Sequence, residues 1–115
     1  MLPRENRIKK EKEIERVLKQ GTKFYKGFLV LKTAENFLGN PRFGFIVSKK
    51  VSKKSNVRNQ IKRRLRELTR ARLKKITRNA DILLIAVPGL ETKDFQEMGR
   101  IINNLFVLAK ILNKK

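Results

Sequence analysis

Lysine and arginine side chains can hold phosphate, and this sequence gathers them in one stretch. Between Lys49 and Lys75 stand Lys49, Lys50, Lys53, Lys54, Arg58, Lys62, Arg63, Arg64, Arg66, Arg70, Arg72, Lys74 and Lys75, against a single acid, Glu67. Val57, Ile61, Leu65 and Leu68 keep helical spacing inside that run, so the cations ride on an amphipathic helix rather than a disordered tail. Arg58, Lys62, Arg66 and Arg70 follow at four-residue intervals on the adjoining arc, with Asn59 and Arg63 beyond them. Like charges at that spacing each cost an isolated helix about 0.2–0.5 kcal/mol. A basic face that is merely solvated ordinarily mixes signs, whereas a row with almost no acid calls for a polyanion lying against it. Asn59, a mediocre helix former among arginines, can offer RNA both a donor and an acceptor.

The totals point the same way. The 115 residues suffice for one domain, 1–115, with a modest core, being 40% hydrophobic and 35% charged. Thirty Lys and Arg against ten Asp and Glu give a net charge of +20. Self-repulsion at that level disfavours the compact state, and a bound polyanion relieves it. Nucleic acid is the first candidate, because its closely spaced phosphates release counterions to Lys and Arg.

Other chemistries find little support. With no cysteine and no histidine, disulfides, Cys/His zinc sites, thiol nucleophiles and imidazole acid–base catalysis are excluded. The acids Glu5, Glu11, Glu13, Glu15, Glu35, Glu67, Asp81, Glu91, Asp94 and Glu97 are scattered, with no converging set for a protein-borne two-metal nuclease centre. No catalytic residue is assigned, and any metal site on the protein stays unknown. The basic N-terminus lacks an apolar export segment and no apolar run is long enough to span a membrane, so a cytoplasmic protein is expected.

These side chains need a scaffold. Lys10 to Gln20 reads as a short helix with Ile14, Val17 and Leu18 on one face and Gly21 at its end. Thr22 to Thr33 is strand-like, broken at Gly27, and its apolar run Phe28-Leu29-Val30-Leu31 suggests a strand covered on both faces. Arg42 to Ser48 is a further strand, with Phe43, Phe45 and Val47 alternating. Lys49 to Ser55 is a cationic loop. A long helix should start near Ser55 or Asn56, either of which can cap it, and run to about Thr77. Arg72 interrupts its apolar arc, so its C-terminal half is expected to project, bend or sit loosely. Asp81 to Val87 is a short buried strand, and Glu91 to about Leu112 the last helix, capped by Thr92, with Lys114 and Lys115 as a frayed end. The order αβββαβα describes an α+β sandwich, one sheet with helices packed on it.

Two of these segments carry a family likeness. Val47-Ser48-Lys49-Lys50-Val51, followed after a short loop by Arg58-Asn59-Gln60-Ile61-Lys62-Arg63-Arg64-Leu65-Arg66-Glu67, resembles the Arg-Asn-Arg signature of the bacterial ribonuclease P proteins. The opening Leu2-Pro3-Arg4-Glu5-Asn6-Arg7-Ile8, the strand at Phe28, Arg42-Phe43-Gly44 and the Asp81-to-Val87 strand fit in order and spacing. The likeness covers nearly the whole chain.

That resemblance implies an α/β sandwich with a left-handed βαβ crossover, against the usual right-handed rule. It implies the small partner of a large catalytic RNA that removes the 5′ leader from precursor tRNA. Mg²⁺ would be held mainly by the RNA, with no protein-borne cofactor and no membrane partner. Carried over by position, Arg58, Asn59, Lys62, Arg63 and Arg66, with Lys53, Lys54 and Gln60 beside them, would face the catalytic RNA. Ser48, Lys49 and Lys50 would border a cleft holding the leader, lined by Ile14, Leu18, Phe28 and Leu31. Gln60 stands where the signature usually has a third basic residue, and Ser55 where Ala is common. Ile14, Leu18 and Leu31 are aliphatic at positions often aromatic, so base stacking worth about 1–3 kcal/mol is missing there. Phe24, Tyr25, Phe28, Phe43 and Phe45 are the remaining rings, each expected in the core ahead of RNA stacking.

Two other readings share parts of this pattern. A ribosomal or other structural-RNA-binding protein without a nuclease role shares the whole charge argument. A membrane-surface binder needs apolar residues opposite the basic arc to face lipid, and here the core claims them. The oligomeric state of the free protein is left open.

Overall fold

The computed structural model describes residues 2–112; the expectation for Lys114 and Lys115 lies outside them. Its principal elements are α1 (Glu11–Gln20), β1 (Thr22–Lys26), β2 (Leu29–Glu35), β3 (Arg42–Ile46), α2 (Ser55–Arg72), β4 (Ala80–Ala86) and α3 (Phe95–Leu108). Single 3₁₀ turns at Arg4–Asn6, Leu73–Lys75 and Leu90–Thr92 link them. The strands form one sheet in the order β1-β2-β4-β3. β1/β2 and β2/β4 are antiparallel, while β3 and β4 are parallel neighbours joined through α2.

The break at Gly27 is a hairpin turn. Gly27 (φ 50°) and Phe28 (φ 67°) are its two central residues, and both take the positive φ that lets a two-residue loop match the twist of its strands. Phe28 therefore ends the hairpin instead of starting a strand.

Pleating sorts the sheet into two faces. On one, Phe24, Leu31, Leu84 and Phe45 lie in cross-strand register, and Leu31, Phe43, Ile82 and Leu84 pack with Ile61 and Leu65 of α2 and Met98, Ile102, Leu105 and Phe106 of α3. The Phe43 and Phe106 rings lie 6.0 Å apart, tilted by 33°, within the range of favourable aromatic pairs. On the other face α1 covers only part of the sheet, through Val17, Ile8 and Leu83 with Ile14, Ala34, Ile46 and Ile85 around them.

Gly44 sits in that smaller contact, where an added Cβ would lie 2.7 Å from Leu83 Cδ2 and 3.7 Å from Ile8 Cβ. Gly44→Val is expected to cost about 1–3 kcal/mol by overpacking. Equal denaturation midpoints for variant and parent would show that this contact repacks freely.

Four helix boundaries differ from the sequence reading, among them the end of α3 at Leu108 rather than about Leu112. α2 begins at Ser55 itself, with Lys54 in the cap position and no side-chain cap, so neither Ser55 nor Asn56 plays that role. It ends at Arg72 rather than Thr77, and its end does not project: Leu68 and Thr69 are buried. Arg72 Nη1 donates to the Leu68 carbonyl (2.7 Å), Nη2 to that of Gly99 on α3 (3.3 Å), and Nε to the Asn103 side chain. A cation in the buried arc thus docks one helix on the other, and burial lowers its pKa from the ordinary arginine value. α3 begins at Phe95, capped by Asp94, whose carboxylate accepts from the Glu97 N–H while Glu97 reaches back to the Asp94 N–H. Thr92 belongs to the preceding 3₁₀ turn, its hydroxyl donating to the Gly89 carbonyl at 2.6 Å.

Candidate nucleic-acid interface

The position of α1 is set by one buried carboxylate. Asp81, at the start of β4, has no exposed side-chain surface. Arg42 of β3 clasps it with Nε on Oδ1 (2.8 Å) and Nη2 on Oδ2 (2.7 Å), and Asn36 Nδ2 donates to Oδ1 (2.8 Å). Arg16 of α1 reaches Oδ2 at 3.3 Å, and Glu13 of α1 accepts from Arg42 Nη1 at 2.9 Å. Burial alone would raise the carboxyl's pKa, but the bonds from Arg42 and Asn36, the Arg42 charge and the bond from Arg16 together hold it below the ordinary carboxylate value. The same bonds, those to Asp81 foremost, keep Arg42 more firmly protonated. α1 is thereby fixed across the Asp81 end of the sheet.

The opposite end of that face stays open. Tyr25, Val30, Ile85 and Ile46 form one cross-strand row there, one residue from each strand. Tyr25 is 55% exposed, and Ile85 and Ile46 are half-buried. The next row carries Lys23, Lys32, Leu83 and Gly44. Lys32 Nζ donates to the Leu18 carbonyl of α1 at 2.7 Å, which ties the C-terminal turn of α1 to this row. The result is a groove with an apolar floor, α1 as one wall and lysines at its β1 end.

Beyond Ile46 the chain turns out of the groove. Ser48 closes the turn: its carbonyl accepts from the Val51 N–H (3.1 Å) and its hydroxyl from the Lys50 N–H (3.3 Å). Val51 is buried, while Lys49, Lys50, Lys53 and Lys54 are exposed. Arg58 then folds back, its Nη1 donating to the carbonyls of Ser52 and Lys53 at 3.0 Å each. Asn59, Gln60, Arg63, Arg66 and Arg70 of α2 are exposed and Lys62 is half-buried. No cation of α2 forms an ion pair among the described residues. A groove on one face and a basic helix on the other thus meet at a single cationic turn. That arrangement can bind an extended strand and, separately, a folded polyanion.

The chain matches the family described as Ribonuclease P over residues 2–110. It belongs to the ribonuclease P protein family. A relative from Syntrophomonas wolfei, named ribonuclease P protein component, is 36% identical over 100 residues, covering 87% of this chain and 83% of that protein. One of the same name from a Pseudanabaena species is 31% identical over 114 residues, covering 98% of each. The solved RNase P protein of Staphylococcus aureus superposes with a TM-score of 0.87 at 28% identity, covering 94% of this chain and 98% of that one.

Within this ribonuclease P protein, two of the expected groove residues stand elsewhere. Leu31 has no exposed surface and points into the core beneath α2 and α3; alternation puts its neighbour Lys32 on the α1 side instead. Phe28 lies in the β1–β2 turn, where a Cβ on Gly89 would touch its ring at 2.5 Å. Lys93 Nζ stands 5.4 Å from its centroid. Ile14 packs with Val17 and Leu83 on the α1 side of the sheet, and Leu18 is exposed. Of the other rings, Phe43 is buried and Phe24 and Phe45 pack against the core. The sequence reading missed the Arg42–Asp81 clasp and the groove positions of Lys23, Tyr25 and Lys32. Placing the hairpin turn at Gly27-Phe28 was the signal that assigns both strands their faces.

Proposed function

We propose that this chain is the protein component of ribonuclease P, a subunit of an endoribonuclease acting in tRNA processing. It binds the enzyme's RNA through α2 and the turn before it, using Lys53, Lys54, Asn59, Gln60, Lys62, Arg63 and Arg66. The 5′ leader of precursor tRNA lies in the groove between α1 and the sheet, beside Ser48, Lys49 and Lys50. Catalysis belongs to the RNA in this reading. The observation that carries it is the pairing of an open groove and a basic helix with Glu67 as its one acid on opposite faces, joined by one cationic turn. Relatives across nearly the full chain length are named components of this enzyme, which favours it over a ribosomal role.

Mg²⁺ is assigned to the RNA. Among the described residues no three Cys, His, Asp or Glu side chains come together, and Asp81 is already saturated by Arg42, Asn36 and Arg16. Among the described residues no helix is long and apolar enough to cross a membrane.

The deciding experiment is a precursor-tRNA cleavage assay at low Mg²⁺. The protein alone should be silent, the catalytic RNA alone slow, and the two together fast. The assembled complex should also bind precursor more tightly than mature tRNA. Cleavage by the protein alone would move the chemistry onto this chain, and equal affinity for both RNAs would remove the leader from the groove.

A further inference from the structure

We propose that Tyr25, Lys23 and Lys32 form a one-nucleotide subsite at the β1 end of the groove, with the Tyr25 ring stacking on a leader base and the lysines holding its phosphate. The proposal rests on the leader-binding reading above and adds a site on an edge strand of the sheet.

Two observations meet there. Lys23 and Lys32 are direct cross-strand partners, and like charges placed opposite each other destabilise a sheet. Neither forms an ion pair among the described residues, and Lys32 is steadied only by the Leu18 carbonyl. An anion between the two ammonium groups turns that repulsion into attraction. Tyr25, two residues along β1 on the same face, exposes an aromatic ring at an edge position where the core makes no use of it. Phe24, pointing the other way, is the β1 ring the core does use. A stacking surface beside a cationic pair is the chemistry of a single-stranded nucleotide site. It also answers the aliphatic character of Ile14 and Leu18 on α1, since the ring absent from that wall is present on β1.

The geometry gives this subsite a place in the leader. Strands lie about 4.8 Å apart, so Tyr25 on β1 stands roughly 14 Å across the sheet from Ile46 on β3. Ser48 to Lys50 follow Ile46 and lead straight into α2, so a substrate delivered by the catalytic RNA meets the β3 end first. Only a leader long enough to cross the whole groove reaches Tyr25.

The test measures affinities of the reconstituted holoenzyme for precursors with leaders of graded length. Tyr25→Leu should lose about tenfold with long leaders, the size of one base–aromatic stack. It should lose nothing with the shortest leader or with mature tRNA, and Tyr25→Phe should behave as the parent. Lys23→Gln should lower the salt dependence of long-leader binding by about 0.7 of a log unit per log unit, one single-strand phosphate contact. An equal loss for short and long leaders, or none at all, would overturn the subsite. If the parent holoenzyme itself failed to prefer leader-bearing RNA, the leader-binding reading would fall instead, and the two failures are told apart by the parent alone.

Discussion

Asp81→Ala is expected to destabilise the free protein by about 3–5 kcal/mol, the usual cost of removing one partner of a buried ion pair. Asp81 has no exposed side-chain surface and Arg42 only 15%, so the substitution strands a guanidinium, with Glu13 its one remaining carboxylate, and takes one hydrogen bond from Asn36 as well. A small domain has about 5–15 kcal/mol in all, and a net charge of +20 already lowers this one. Urea denaturation should show a sharply lower midpoint, or no folded baseline. The effect should depend on pH in a definite direction. The folded-state carboxyl is held below its ordinary value, so its stabilisation is complete above the unfolded carboxyl pKa of about 3.9 and disappears as pH falls through the lower folded value. Parent and Asp81→Asn curves should therefore converge in acid and separate toward neutrality. A constant gap from acid to neutral pH would show that the clasp acts through packing alone. Because Arg16 and Glu13 tie the clasp to α1, what remains folded should also lose preference for leader-bearing RNA.

Periodicity made the elements legible, because α2 and α3 each bury one clear stripe and β4 is a solid apolar run. What it could not supply was register. The stretch from Phe24 to Leu31 is nearly all apolar, so neither face could be read from it, and the hairpin turn alone decides that Leu31 is core and Lys32 groove. Arg72 misled for a related reason. A cation in a buried arc reads as an interruption until a carbonyl on another helix, here that of Gly99, is known to meet it. The Asp81 clasp joins residues as far apart as position 16 and position 81, and no local signal announces such a pair. The α2 cations are visible because charge is written in composition, whereas the groove is a property of how strands pair.

The second large effect concerns α2. Replacing Lys62, Arg63 and Arg66 together with Ala should weaken binding to the catalytic RNA on the order of a hundredfold at moderate salt. It should also reduce the salt slope by about 2.7 if each side chain holds one phosphate. The free protein should not suffer. Arg63 and Arg66 are exposed and Lys62 half-buried, Ala is the best helix former, and the change removes like-charge pairs four residues apart along the row from Arg58 to Arg70, each costing a few tenths of a kcal/mol. Stability and RNA affinity are therefore expected to move in opposite directions, which separates a binding surface from a folding defect. Arg58→Ala makes the contrast, because its guanidinium closes the turn on the Ser52 and Lys53 carbonyls. That variant should lower stability and RNA affinity together. The triple variant should leave the relative preference for leader-bearing over mature tRNA intact, since the groove lies on the other face of the sheet. Filter binding of the catalytic RNA across a salt series measures the slope, and a slope equal to the parent's would move the RNA interface off this helix.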